Sequence, residues 1–310
     1  MQILPVKTYT PIQKTGRTRD HFIQFIKFGF YPLGLLLTLA FIYFNNQMLL
    51  GNPKMAYAIY LLVVIGSMLF LEWYAPARLD WNMTWRSFLR RDVPMMVLNG
   101  VALAGTTFFL TAITQRLGIG AESKIHFLPW WGQASAAILL SDFLWYWTHR
   151  YSHEGKGMLG AWLWKTHVAH HLPEQVYVFM HAVGHPINGA YVRAILMLPP
   201  IFLGFSTEAI FAAAVLTGFQ GLVSHFNVDI RAGYFNYVFM GTELHRYHHS
   251  AAVNEGKNFA AVITFWDQLF GSFDYHPGTL PASLGVREPD DYPRDEDLLS
   301  VMLIPFRKNK

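Results

Sequence analysis

Nine histidines in this chain are spaced as metal ligands would be. His149 and His153 stand four apart, His167, His170 and His171 form one His-x-x-His-His pattern, His245, His248 and His249 form a second, and His225 lies between them. On a helix, residues three and four apart are neighbours, so each cluster is expected to present its imidazoles on one face, and the faces to converge on one site. Neutral imidazole binds iron, zinc, copper or nickel, and eight or nine imidazoles exceed what one ion coordinates. The number therefore implies two metals, whereas a structural zinc site would close with four ligands. The chain has no cysteine, which excludes disulfides, thiolate zinc sites, cysteine-held iron–sulfur clusters and a cysteine nucleophile.

Five of the 14 histidines remain. His181 and His185 are four apart and close to the clusters; His185 is the better candidate for a ligand or pocket residue, and His181 ranks below it. His21, His126 and His276 have no partner at ligand spacing and read as surface or interfacial residues. Asp142 lies two helical turns before His149, where an acid in an apolar helix must be paired. It either accepts a hydrogen bond from a ligating imidazole, fixing its tautomer, or pairs with a loop arginine. Nearby tryptophans and tyrosines such as Trp145, Tyr146 and Trp147 read as interfacial anchors.

Positioning such a site falls to long apolar segments. The 310 residues are 53% hydrophobic and only 14% charged, with mean hydropathy +0.23; charged residues normally make up about a quarter of a globular chain. This balance excludes a disordered chain and points to a membrane. Uncharged runs at 28–44, 55–71 and 93–115, and a run at 127–148 whose one charge is Asp142, predict four transmembrane helices. The stretch 186–224 is interrupted by Arg193, Pro199-Pro200 and Glu208, so its halves look short, and it reads as a helical hairpin that dips into the bilayer or crosses it twice. The expectation is an all-α integral membrane protein, with four transmembrane helices, a hairpin and a histidine-rich helical cap.

Orientation follows from lysine and arginine. Lys7, Lys14, Arg17, Arg19 and Lys27, with Arg78, Arg86, Arg90 and Arg91 after the second span, outnumber Lys54, Arg116 and Lys124 in the opposite loops. The N-terminus and every histidine cluster are therefore expected on the cytoplasmic side. No cleavable signal peptide is evident. The tail after Phe273 is acidic and reads as a solvated segment. The net charge of +4 is accounted for by membrane orientation and calls for no nucleic-acid partner.

With these residues in view, the chain resembles the fatty acid hydroxylase/sterol desaturase superfamily of membrane non-haem di-iron enzymes. The resemblance rests on Asp142 with His149 and His153, on His167-Val-Ala-His170-His171, on His225-Phe-Asn227, on Glu243-Leu-His245-Arg-Tyr-His248-His249, and on Asn258-Phe-Ala, Trp266-Asp267 and Phe270-Gly271-Ser272. It implies that the nine histidines bind two iron ions and that Asp142, Asn227, Asn258 and Asp267 support them. The hydroxylase branch carries a further histidine where this chain has Asp229, leaving a carboxylate, His185 or water to complete the shell. The resemblance also implies O2 as co-substrate, hydroxylation or desaturation of a lipid C–H bond, and two electrons from outside. The lipid could be a sterol, a fatty acyl chain, a sphingoid base or an ether lipid. The domain division expected is a cytoplasmic segment 1–27, a membrane-embedded catalytic domain 28–272 and a polar tail 273–310. That leaves little room for a fused redox domain, so a separate electron-transfer protein is expected. The alternative is a histidine-rich metal-binding or transport protein, disfavoured because the clusters lie beyond the spans. A metalloprotease is excluded by the absence of His-Glu-x-x-His.

Overall fold

A backbone surrounded by lipid must satisfy its own hydrogen bonds, so the apolar runs become helices. In the computed structural model these are α1 (Arg17–Met48), α2 (Pro53–Tyr74), α3 (Trp85–Ser87), α4 (Val93–Leu117), α5 (Trp130–Glu154), α6 (Gly157–His171), α7 (Pro186–Leu203), α8 (Thr207–Ser224), α9 (Thr242–His248), α10 (Phe265–Leu269) and α11 (Leu298–Met302). The structure describes residues 17–48, 51–120, 122–252 and 254–307; Lys7 and Lys14 lie outside them. Among the described residues no strand forms, only three isolated bridges.

Local chemistry sets the helix ends. Asn52 caps α2 by accepting from the Lys54 and Met55 amides, with Pro53 in the first turn. Ser206 caps α8 through Ala209, and Gly118, at φ +64, closes α4. The link between α5 and α6 is tight: a Cβ on Gly160 would come 2.4 Å from the Gly155 carbonyl, so only glycine lets α6 fold back this closely. That turn brings the histidines of α5 beside those of α6.

Five segments are long and apolar enough to cross a membrane: Asp20–Gln47, Pro53–Tyr74, Leu79–Leu117, Pro186–Leu203 and Thr207–Ser224. This revises two expectations. The halves of the hairpin are not short; each is an 18-residue helix that qualifies. The run expected at 127–148 forms part of α5, yet α5 is not among the five, because Gln133, Ser141 and Asp142 lower its hydropathy and are buried inside the bundle. It nonetheless runs the depth of the bundle. Its leading segment meets the far end of α7 through Lys124 N donating to Leu203 O (2.9 Å), and its C-terminal turn holds His149 and His153. Asn46 of α1 donates to Glu208 O (3.2 Å) at that same far end.

Helix α8 is the axis of the bundle, with Val215, Phe219, Leu222 and Val223 buried against α1, α2 and α5. In lipid the hydrophobic effect gives no drive for helices to associate, so close packing and polar contacts do. Tyr31 donates to Gln220 Oε1 (3.1 Å), and the Thr38 and Tyr60 hydroxyls pair at 2.7 Å. Outward residues remain apolar, as at Phe108, which is 78% exposed.

The acidic tail is the solvated segment expected only in part: Glu288, Asp290, Asp291 and Asp297 are exposed, but other parts of it are held against the bundle. Val301 and Ile304 are buried with Val168, Ala169 and Met180 against α6, and Trp164 Nε1 donates to Tyr292 (2.8 Å). Charges clamp it as well. Arg86 pairs with Glu296 (2.7 Å), and Arg91, buried on the π-helical turn before α4, pairs with Asp92 and Asp295. With Arg78, which pairs with Asp80 (2.6 Å), three of the arginines counted for orientation are engaged within the protein.

Candidate metal centre

Four helices deliver the nine histidines to one end of the bundle, where they divide into two adjacent groups. His149, His153, His167, His171 and His248 form the first, and His170, His225, His245 and His249 the second; within each group the candidate ligand atoms lie within 4.8 Å of one another. The groups share a wall, with the His171 and His249 rings stacked at 4.4 Å.

The expectation that each His-x-x-His-His presents one face is corrected by this division. Helix α6 sends His167 and His171 to the first group and His170 to the second, whereas α9 sends His248 to the first and His245 and His249 to the second. The reason is angular: at about 100° per residue the i and i+4 side chains nearly align, while i+3 falls on the other side of i. The two motifs therefore interlock as mirror contributions.

Outer hydrogen bonds fix the ring orientations. Nδ1 donates to Phe259 O from His149 (2.6 Å), to Asn188 Oδ1 from His167 (3.0 Å), to Val183 O from His170 (2.7 Å), to Gly221 O from His225 (3.0 Å) and to Lys257 O from His248 (2.8 Å). Each of these rings then turns Nε2 inward as a lone pair, the pattern of a metal-binding imidazole held by an outer partner. Nε2 of His149 lies 3.0 Å from that of His167, and Nε2 of His170 lies 3.2 Å from that of His225. With Nδ1 as the donor on both sides, two lone pairs face each other at this distance, an arrangement that a cation between them relieves. His153 Nε2, His248 Nε2 and His245 Nδ1 are also buried without a hydrogen-bond partner. Burial holds all nine rings below the usual histidine range, with repulsion from neighbouring imidazoles acting in the same direction for most, and pushes His248 down to about 3. They are neutral and able to ligate. Nitrogen donors alone suit iron, zinc, copper or nickel, so the residues present fit a pair of such ions.

The four residues expected to support the ligands bond chiefly to backbone. Asp142 neither accepts from an imidazole nor pairs with an arginine: its carboxylate accepts from the amides of Ala261 (2.7 Å), Val262 (3.3 Å) and Ile263 (2.9 Å). Asp267 accepts from the Phe259 (2.7 Å) and Ala260 (3.0 Å) amides and from Ser272. Asn258, at φ +60, donates to Leu244 O and Asp274 O. Together they set the 258–263 segment whose Phe259 carbonyl holds His149. Asn227 is more remote, donating to Arg78 O and Asn82 Oδ1.

Neither candidate for completing the shell reaches it. His185 is consumed in capping α7, its Nδ1 accepting from Ile187 N (3.1 Å) while Nε2 donates to Met302 O (3.2 Å). Asp229 faces Lys27 (2.8 Å) and Arg231 (2.7 Å). His181, ranked lower, is the nearer of the two spare histidines, with its ring 5.7 Å from that of His225. The aromatic reading also changes. Trp145 stacks on His149 at 4.7 Å and Tyr146 is fully buried, so neither is an interfacial anchor, while Trp147 stays exposed.

Sequence reasoning missed Asn188, Glu72 and Trp164. Glu72 accepts from the Val178 and Asn227 amides (2.8 Å each), tying α2 to the loop carrying His181 and to the end of α8. Its signal was available, as an acid near the end of an apolar run. Asn188 and Trp164 carried none, since only the fold brings them to His167 and His153. A cleft of about 650 Å³ reaches His153, His171 and His248 from the side opposite the apolar bundle, between the α5–α6 turn and the segments around 250–257 and 285–292.

Comparison with known proteins agrees with this geometry. The fatty acid hydroxylase family model matches residues 134–272. Ornithine lipid hydroxylase OlsE of Rhizobium tropici is 29% identical over 199 residues, 62% of this chain and 59% of that protein. Methylsterol monooxygenase 2-2 of Arabidopsis thaliana is 24% identical over 152 residues, 47% and 55% of the two chains. Human alkylglycerol monooxygenase is 28% identical over 173 residues, 52% and 36%. The chain thus spans less than two thirds of each of these relatives. No solved structure matches it significantly. Over residues 134–272 the chain is thus similar to the fatty acid hydroxylase family, and its relatives include lipid hydroxylases and monooxygenases.

Proposed function

We propose that this integral membrane protein uses two iron ions, O2 and two external electrons to hydroxylate or desaturate a C–H bond of a membrane lipid, with its nine clustered histidines as the ligands. The observation that carries the reading is the pair of adjacent all-histidine groups with inward Nε2 lone pairs, at the end of apolar helices. The similar proteins named above, a lipid hydroxylase and two monooxygenases, support the same chemistry. Iron held there would activate O2, which is the oxidant for C–H cleavage. The chain does the rest. Outer carbonyls orient the rings, burial keeps the imidazoles neutral, Trp145 covers His149, and Trp164 packs on His153 where the cleft opens.

The lipid approaches from the bundle, and the cleft at His153, His171 and His248 gives the site its other face. Glu154, Lys257, Arg287 and Glu288 at that cleft offer a charged rim for a separate electron-transfer protein. On this reading that face and the N-terminus are cytoplasmic, as the distribution of lysine and arginine indicates. The test is to purify the protein, measure iron against zinc, and follow O2 uptake with a reductant and membrane lipid. Near two iron per chain and lipid-dependent uptake are expected. Stoichiometric zinc with no uptake, together with metal flux in vesicles, would overturn the reading.

A further inference from the structure

Arg193 is the one charged residue of α7 and lies at its eighth position of 18, deep within a helix able to span the bilayer. A cation at such depth is costly and normally has a functional partner. Here its Nε donates to Thr107 Oγ1 of α4 (2.8 Å). Among the described residues no carboxylate pairs with it, its terminal nitrogens make no hydrogen bond, and the titratable group acting on it is Tyr57 of α2. Every residue from Ala190 to Leu198 is partly exposed, instead of alternating between buried and free faces.

Packed side chains connect the surroundings of this cation to the histidines. The Tyr57 hydroxyl lies 2.8 Å from where a Cβ on Gly218 would be, and Cε1 of His181 lies 2.2 Å from where a Cβ on Gly221 would be. Gly218, Gly221 and His225 follow at i, i+3 and i+7 on one face of α8. His181 keeps an accessible ring surface beside His225 of the second group.

We propose that Arg193, with Tyr57 and Thr107, binds the anionic group of a lipid, a carboxylate or a phosphate, whose chain runs past Tyr57 toward His181 and the second histidine group. This rests on the lipid-oxidation reading and adds a subsite to it. Seven residues of helix separate Gly218 from His225, about 10 Å, so the carbon offered for oxidation lies several methylenes from the charged group.

The test measures binding, without reductant, of three probes to the purified full chain in detergent: oleic acid, oleoyl lysophosphatidic acid and methyl oleate. Wild type is expected to bind one of the acids at least about tenfold more tightly than the neutral ester, and the acid preferred identifies carboxylate or phosphate. Arg193→Gln should erase the preference and Arg193→Lys keep part of it, with thermal stability and metal content unchanged. Should Arg193→Gln not fold, Tyr57→Phe, which removes one hydroxyl, should still weaken the preference severalfold. Gly218→Leu should weaken all three probes together. Equal binding of acids and ester by wild type, or a preference surviving in the folded arginine and tyrosine variants, would overturn the subsite; undiminished binding by Gly218→Leu would overturn the path. Because no turnover is read, loss of the subsite leaves the oxidation reading standing. Absent O2 uptake with the preference intact does the reverse.

Discussion

Replacing Asp142 with alanine tests whether a carboxylate with no contact to any ligand controls the first histidine group. Asp142 is 2% exposed and accepts from three backbone amides, strongly from Ala261 and Ile263 and more weakly from Val262. Without it, two to three buried or part-buried N–H groups lose their acceptor at about 1–3 kcal/mol each, so the loss should total about 2–9 kcal/mol. That is a large fraction of the stability of a typical domain, about 5–15 kcal/mol. The displaced segment carries the Phe259 carbonyl that orients His149. The first group should therefore lose metal before the second, whose histidines lie on α6, α8 and α9. Asp142→Asn keeps one acceptor oxygen and should fall between alanine and wild type. Thermal unfolding in detergent gives the stability, and metal content per chain together with a spectroscopic probe of bound Co(II) gives the occupancy. A variant that binds two metals per chain and melts with wild type would refute the reasoning.

Four further outcomes follow from particular contacts. Asn188→Ala removes the acceptor for His167 Nδ1 (3.0 Å) and should weaken metal binding about 10- to 100-fold while the protein stays folded, read by competition with a chelator. Burial holds the folded histidines below their unfolded values, so the unfolded chain takes up protons first and metal-free protein loses stability as pH falls below about 6.5, down to about 3 for His248; thermal unfolding against pH checks the sign. Arg91→Met leaves buried Asp92 without its cation and unties Asp295, and should cost about 3–5 kcal/mol, with the tail becoming sensitive to protease. Asp229→Asn should leave metal content at the wild-type level, because Asp229 spends its charge on Lys27 and Arg231.

What the sequence discloses depends on whether the signal is periodic. Apolar runs and histidines at three- and four-residue spacing are local patterns, so the all-helical class and the nine clustered residues were legible. The split between two groups was not, because it turns on the angular difference between His167 and His170, which matters only once α5, α8 and α9 surround them. Asp142 was visible as an anomaly, yet its partners are amides more than 110 residues later, which no spacing rule reaches. The tail misled for a related reason. Asp295 and Glu296 look like solvated acids until folding sets them against Arg91 and Arg86. The run 127–148 was legible as a helix but not as a span: the polar Gln133, Ser141 and Asp142 that lower the hydropathy of α5 are buried against its neighbours, where an internal face can carry groups that a lipid-facing one cannot.

The central claim is that the histidine centre uses O2 to remove hydrogen from a lipid carbon. It is tested most directly by mass spectrometry of membrane lipids from cells making the wild-type protein or His170→Ala, grown with and without O2. The account predicts a lipid that gains one oxygen or loses two hydrogens only with wild-type protein and only with O2, and that carries the heavy isotope from 18O2 when the product is hydroxylated. Lipids that are identical between wild type and His170→Ala, or a modification that persists without O2, would contradict it.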